Sequence, residues 1–206
     1  MKLIGITGGI GTGKSTVAGM LRTRGWIVYA SDETAREIMD SRPEVQQEIA
    51  RAIGEDVLTP QGLDRTKIAE LVFGESPLHK QRREAIEKII HPLVIEEHWE
   101  RIQEHLEQDT PCVAIDSALL YEIGLEDGFD WVIVVDAPDE IRIKRVMERS
   151  NLTEAQVRAR MAEQLTMQEK RSYADFVIEN AGTRDELENA VNRVATIIEV
   201  MPISSE

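Results

Sequence analysis

The stretch Gly8-Gly9-Ile10-Gly11-Thr12-Gly13-Lys14-Ser15 fills every fixed position of the pattern G-x-x-x-x-G-K-[ST]. Residues of these types at this spacing hold phosphate. Glycines permit backbone angles and close approaches that a β-carbon would block. Successive amide N–H groups can then turn inward on phosphate oxygens, helped by the positive N-terminal end of a following helix. Lys14 is placed to put a point charge on the β- and γ-phosphates, and the Ser15 hydroxyl is the expected Mg²⁺ ligand. Gly9, Gly11, Thr12, Gly13 and Thr16 complete the expected cradle, whose ligand is ATP as a co-substrate.

Three aspartates could work beside it. Asp32 follows the second apolar run, where a carboxylate can accept or orient the proton of an attacking hydroxyl. The same residue, or Ser31, could equally cap a helix beginning at Glu33. Asp116 and Asp136 each end an apolar run, at the carboxyl end where α/β sheets place their chemistry. Position favours Asp116 for the metal and leaves the other as a strand-end turn residue. Arg142, Lys144, Arg145 and Arg149 form a basic cluster that either serves the phosphates or is a solvated helix face.

The order of elements needed to position these groups is readable. Leu3 to Thr7 is a short buried strand, and a helix runs from Lys14 to Arg24, stopped by Gly25. Trp26 to Ala30 is a second strand. A mostly helical stretch from Ser31 to Asp109 follows, with Ser31 capping a helix over Glu33 to Met39. Further helices run from Pro43 through Ile53 and from Asp64-Arg65-Thr66. Beyond Pro77 comes a long periodic segment to Leu106 that His91-Pro92 should kink or split. Val113 to Asp116 and Trp131 to Asp136 are strands. A charged helix follows Pro138, another spans Thr153 to Lys170, and Phe176 to Glu179 and Asp185 to Val200 close the chain as strand and helix. The alternation implies an α/β, three-layer P-loop fold with a mostly parallel five-stranded sheet. The helical insertion is too long for a simple connection and reads as a substrate-binding subdomain.

Composition narrows the function. With 206 residues, 42% hydrophobic and 30% charged, the chain can bury a core, and at 4% aromatic content aliphatic side chains must fill it. A net charge of −14 argues against a nucleic-acid partner. The single cysteine, Cys112, lies in an apolar run and reads as core. No stretch suits a membrane span or a signal segment, so a cytoplasmic, membrane-free protein is expected. The Asn-Lys-x-Asp motif of GTP switches is absent, and the length does not suit a motor or a transporter ATPase. A small-molecule kinase is the leading reading. A nucleoside or nucleoside-monophosphate kinase and a non-catalytic ATP-binding regulator are the alternatives.

At this point the whole chain resembles the dephospho-coenzyme A kinase family. The wording Gly5 to Thr16 is similar to the family's P-loop. Asp32 with Ala35-Arg36 matches a D-x-x-A-R segment, His91-Pro92 a His-Pro step and Leu119-Leu120-Tyr121-Glu122 an L-L-[FY]-E segment. Arg145 and Arg149 match an R-x-x-x-R helix, and Arg160, Gln164, Ala174-Asp175, Asn180 and Gly182 complete the likeness. The resemblance implies a nucleotide core (residues 1–31, 110–137 and 171–206), a helical acceptor domain (32–109) and a lid helix region (138–170). It implies ATP and dephospho-coenzyme A as substrates, Asp32 as base for the ribose 3′-hydroxyl, and Lys14 and Arg145 beside it in catalysis. Arg36, His91, Leu119 and Leu120 would face the acceptor, Arg145 and Arg149 the phosphates, and Asn180 the adenine. The chain departs from the family pattern at Ala30, Ala118 and Arg142, where aspartate, proline and glutamine are usual. With Ala30 the base loses an acidic neighbour.

Overall fold

The computed structural model describes residues 1–53, 57–74, 76–108 and 110–202. The chain divides into two compact units, residues 1–30 with 105–206 and residues 31–104.

The first unit is built on β1 (Lys2–Thr7), β2 (Ile27–Ala30), β5 (Cys112–Asp116), β6 (Trp131–Asp136) and β7 (Phe176–Glu179), in the order β2-β5-β1-β6-β7. Every pairing is parallel, so the expected mostly parallel sheet is parallel throughout. Such a sheet needs cover on both faces, and side-chain alternation along β6 supplies it. Ile133 and Val135 join Ile4, Ile6 and the apolar sides of α1 (Lys14–Thr23) and α9 (Arg184–Val200). Val132 and Val134 point the other way, against Leu120, Phe129, Leu165 and Met167. Cys112 belongs to the first of these clusters; burial pushes its thiol pKa up, so it is a core residue. Gly25, at φ +97°, ends α1: its N–H donates to the Arg22 carbonyl and that of Trp26 to the Leu21 carbonyl, the paired bonds of a left-handed helix stop.

Strand register brings the chemistry together. Asp116 lies opposite Ile6 on one side and Ala30 on the other. The carboxylate at the end of β5 therefore stands level with the last residues of β1, from which the glycine loop departs.

α6 (Asp139–Ser150) follows, and then the expected single helix from Thr153 to Lys170 proves to be two, α7 (Glu154–Met161) and α8 (Met167–Ser172). Both begin with a reciprocal capping box, Thr153 with Gln156 and Thr166 with Glu169. The second box restarts the helix and is the physical reason for the break.

The second unit contains α2 (Ser31–Ser41), α3 (Pro43–Ile53), the hairpin β3 (Leu58–Thr59) and β4 (Gly62–Leu63), α4 (Arg65–Val72) and most of α5 (Pro77–Glu107). Its core is Ile38, Val45, Ile49, Ile53, Val57, Ile90 and Val94. Of the kink or split expected at His91-Pro92, the split does not occur: α5 is continuous through Pro92, because Ile86, Ile89 and Ile90 before it and Leu93 and Val94 after it share that one cluster. Ser31 does not cap α2 but lies within it, and its hydroxyl meets Nε2 of His98 at 3.2 Å. Next along α5, Arg101 reaches Glu97 at 3.1 Å and Glu37 at 3.0 Å, so a polar seam joins α2 to α5. The short hairpin was not expected from the sequence. Among the described residues no helix is long and apolar enough to cross a membrane.

His98 is buried, and its pKa falls from the ordinary 6.5 to about 4, first through loss of water and then through Arg101, against smaller upward pulls from Glu97 and Glu37. The folded state holds it neutral while the unfolded chain takes up a proton below pH 6.5. Its contribution is therefore complete above pH 6.5 and lost as pH falls towards 4. At 1.36 kcal/mol per pKa unit the loss amounts to about 3 kcal/mol. Urea unfolding at pH 7 and pH 5 should show a steeper fall in stability for the native chain than for His98→Gln, and equal falls would refute this account.

Candidate active site

The site grows from the turn between β1 and α1. Gly11 has φ +81° and Gly13 φ +89°, both in the left-handed region that favours glycine. Space is as restrictive as angle. A Cβ on Gly11 would lie 2.6 Å from the carbonyl oxygen of Arg142, and one on Gly13 would lie 2.1 Å from Nδ2 of Asn180. Gly13 is also the N-cap of α1, and it brings no side chain to the first-turn amides. No acidic residue stands in that turn. An anion therefore has the open end of the helix to itself.

The loop is fastened from several sides. Thr12 is fully buried, with its hydroxyl on the Gly9 carbonyl at 2.9 Å. The Thr12 carbonyl accepts from Nδ2 of Asn180 at 2.8 Å, and the backbone N–H of Asn180 donates to the Asp136 carbonyl at 2.7 Å. At the tip, the N–H of Ile10 donates to Oε1 of Gln164 at 2.8 Å while its carbonyl accepts from Nε of Arg142 at 3.0 Å. Arg142 is itself paired with Asp139 at 2.8 Å. The arginine that stands where glutamine is usual is therefore a buried strut of the loop and not a solvated charge.

The charged groups converge at the loop's mouth. Lys14 forms an ion pair with Asp116, which is 5% exposed. A carboxylate so buried needs a cation partner. Ser15 and Thr16 are exposed at the start of α1. Arg145 is half-buried. Its Nη2 donates to Oδ1 of Asn180 at 3.4 Å, whereas its buried Nη1 has no hydrogen-bond partner. That nitrogen is 3.9 Å from the point where a Cβ on Gly13 would sit, so an unsatisfied guanidinium N–H faces the phosphate loop. Arg149 and Lys144 are exposed on α6. Asp136 is engaged elsewhere, by Arg171 at 2.6 Å.

Gly9, Gly11, Thr12, Gly13, Lys14, Ser15, Thr16, Asp116, Arg145 and Asn180 thus gather in the first unit. Leu119 is half-buried there, but Leu120 is fully buried against Tyr121, Val132 and Val134. The Leu120 side chain is core, and the expectation that it faces an acceptor is corrected accordingly. Asn180 spends both ends of its amide on Thr12 and Arg145, so its visible work is to pin the loop. In the second unit Asp32 and Arg36 are exposed one turn apart on α2, on the face away from the buried Thr34 and Ile38. His91 is half-buried on α5. The sequence did not single out the parts played by Gln164 and Arg142. Only the family resemblance pointed to the first, and the second was read as one of a basic cluster and as a departure from the family pattern.

The arrangement can hold a polyphosphate, balance it with Lys14 and Arg145, and keep a carboxylate in reach of the lysine. Comparison with known proteins agrees with that chemistry. A model of the family described as dephospho-CoA kinase matches residues 2–186. A curated dephospho-CoA kinase of Anaeromyxobacter dehalogenans is 42% identical over 195 residues, covering 94% of this chain and 90% of the relative. The solved protein TT1252 of Thermus thermophilus superposes with a TM-score of 0.77 at 35% identity, covering 98% of both chains. A dephospho-CoA kinase structure from Campylobacter jejuni shares the fold, with a TM-score of 0.64 and 24% identity over 96% of this chain and 97% of that one.

Gly11→Ala should weaken ATP binding at least tenfold, because the methyl group would displace the Arg142 carbonyl and the loop with it. Isothermal titration with ATP checks this, with far-UV circular dichroism as the control for folding. Unchanged affinity would show that the crowding at Gly11 is not what shapes the loop.

Proposed function

The chain belongs to the dephospho-coenzyme A kinase family, and from that premise we propose how its own residues transfer the γ-phosphoryl group of ATP to the ribose 3′-hydroxyl of dephospho-coenzyme A. The protein is an ATP-dependent kinase of coenzyme A biosynthesis, and its products are coenzyme A and ADP. One observation carries the assignment of parts: the buried Nη1 of Arg145 lies without a partner beside Gly13, the residue before Lys14 of the Lys14–Asp116 pair.

The loop amides and Lys14 hold the β- and γ-phosphates, with Lys14 exchanging part of its attraction to Asp116 for the incoming anion. Arg145 satisfies its free N–H on a phosphate oxygen and stabilises the charge that develops there during transfer. Arg149, one turn further along α6, adds charge from the lid, which we assign to residues 138–170. Asp32, exposed on α2, orients the acceptor hydroxyl and takes its proton. Arg36, one turn away on the same face, and His91 on α5 bind the anionic and polar parts of the acceptor, and Leu119 borders it. Residues 32–109 thereby form the acceptor domain.

Magnesium suits the donors. Ser15 and Asp116 would hold it, and among the described residues no group of three or more His, Cys, Asp or Glu side chains makes a protein-only cage. Such a sparse set fits an ion that keeps water and substrate phosphates as ligands. When bound, it would neutralise part of the charge on the phosphates.

Asp32→Asn should lower turnover by about 10²-fold or more while leaving ATP affinity within about twofold of the native value. The readout is ADP release with dephospho-coenzyme A, set beside adenosine, AMP and CMP as acceptors. Stimulation by dephospho-coenzyme A alone is expected in the native protein. A variant that turns over as fast as the native chain would remove Asp32 from the mechanism.

A further inference from the structure

Lys170 is an ionisable group that the transfer itself does not use. It lies on the short helix α8, and its side chain is fully shielded from solvent. An ammonium group there is costly unless every contact is paid back by a partner. Burial draws its pKa below the ordinary lysine range, Glu122 pulls it back up, and the positive charges of Lys14 and Arg142 press it down again.

Its partners explain where it is. Nζ of Lys170 donates to the Ala118 carbonyl at 2.8 Å and pairs with Glu122 at 2.7 Å. The Ala118 carbonyl also lies 3.5 Å from the Thr7 hydroxyl, on the last residue of β1. Glu122 in turn accepts from the backbone N–H of Leu165 at 2.9 Å. Leu165 follows Gln164, whose side chain holds the tip of the phosphate loop at Ile10. One buried ion pair therefore joins three pieces: the end of the lid region, the segment Ser117–Glu122 that continues from Asp116, and the neighbourhood of the phosphate loop.

We propose that Lys170, through Glu122 and the Ala118 carbonyl, is a positioning residue that fixes the Ser117–Glu122 segment for the acceptor. Lys170 touches no reacting atom. It acts by setting the path of the backbone between Asp116 and Leu119, so that the group paired with Lys14 and the group bordering the acceptor stay in register. The inference rests on the kinase reading above.

The test separates placement from mere stability. Removing one member of a buried pair leaves the other uncompensated, so Lys170→Met and Glu122→Gln should each lower the melting temperature by roughly 5 °C or more. The double variant Lys170→Met/Glu122→Gln has no stranded charge, and its glutamine can still accept from Leu165, so most of that loss should return. Activity should not return. The expected double variant has kcat/KM for dephospho-coenzyme A lowered at least tenfold, with ATP affinity by titration within twofold of native. Recovery of kcat/KM together with stability would overturn the proposal, as would an equal loss in ATP affinity and acceptor use. The native protein runs beside it. If that fails to phosphorylate dephospho-coenzyme A, the kinase reading fails and not the placement argument.

Discussion

The register between β1 and β5 is the constraint on which the rest of the site depends. Because Ile6 lies opposite Asp116, the strand that launches the phosphate loop and the strand that ends in a carboxylate finish level with each other. A slip of one residue would turn every β5 side chain to the opposite face of the sheet and take the Asp116 carboxylate away from Lys14. The apolar residues that fix the register are therefore as much a part of the chemistry as the lysine. Val113 and Ala114, adjacent and so on opposite faces, are both wholly buried, and a shifted pairing would push each into the packing made for the other.

On top of that frame the loop is held by groups that are not themselves catalytic. Asn180 reaches Thr12 from the end of β7, Gln164 and Arg142 grip Ile10 from either side, and the glycines give these neighbours room. The protein is strongly acidic overall, yet apart from Arg145 these cations near the loop carry carboxylate partners: Arg142 with Asp139, Lys14 with Asp116, Lys170 with Glu122. Local pairing keeps these charges in place before any substrate arrives. An incoming phosphate meets dipoles and ions already oriented, and little reorganisation is left for the reaction to accomplish.

The sequence spoke clearly where one residue type has one physical use. The phosphate loop, the five strands and the stop at Gly25 were legible because glycine geometry and apolar runs have few other meanings. Three readings failed where tertiary packing, or a second local signal, overrode the one that was read. Pro92 did not break α5, because the apolar residues on both sides of it are buried in one cluster. The helix over Thr153 to Lys170 was read as one, since its periodicity hid the Thr166–Glu169 box that restarts it. Leu120 matches a motif, but a motif does not say which way a side chain turns, and this one turns into the core. Of the candidate site, the residues on the first unit could be followed from pattern to place. The struts Arg142 and Gln164 could not, since their value lies in contacts with backbone atoms far away in sequence.

The sheet order also has a meaning in time. β1 is made early, yet both of its neighbours come late: Lys2 pairs with Cys112 and Ile4 with Trp131. Residues 31–104 lie between, and their core is assembled from segments near one another in the chain. Contacts so distant in sequence close slowly, while local ones close fast. A growing chain can therefore bury the apolar residues of the helical unit while the glycine loop still dangles from an unpaired strand. Even after β6 arrives the loop lacks Gln164 and Asn180, its last two fastenings. The ability to hold ATP is acquired near the end of synthesis, so a chain stalled halfway carries the phosphate motif without a phosphate site.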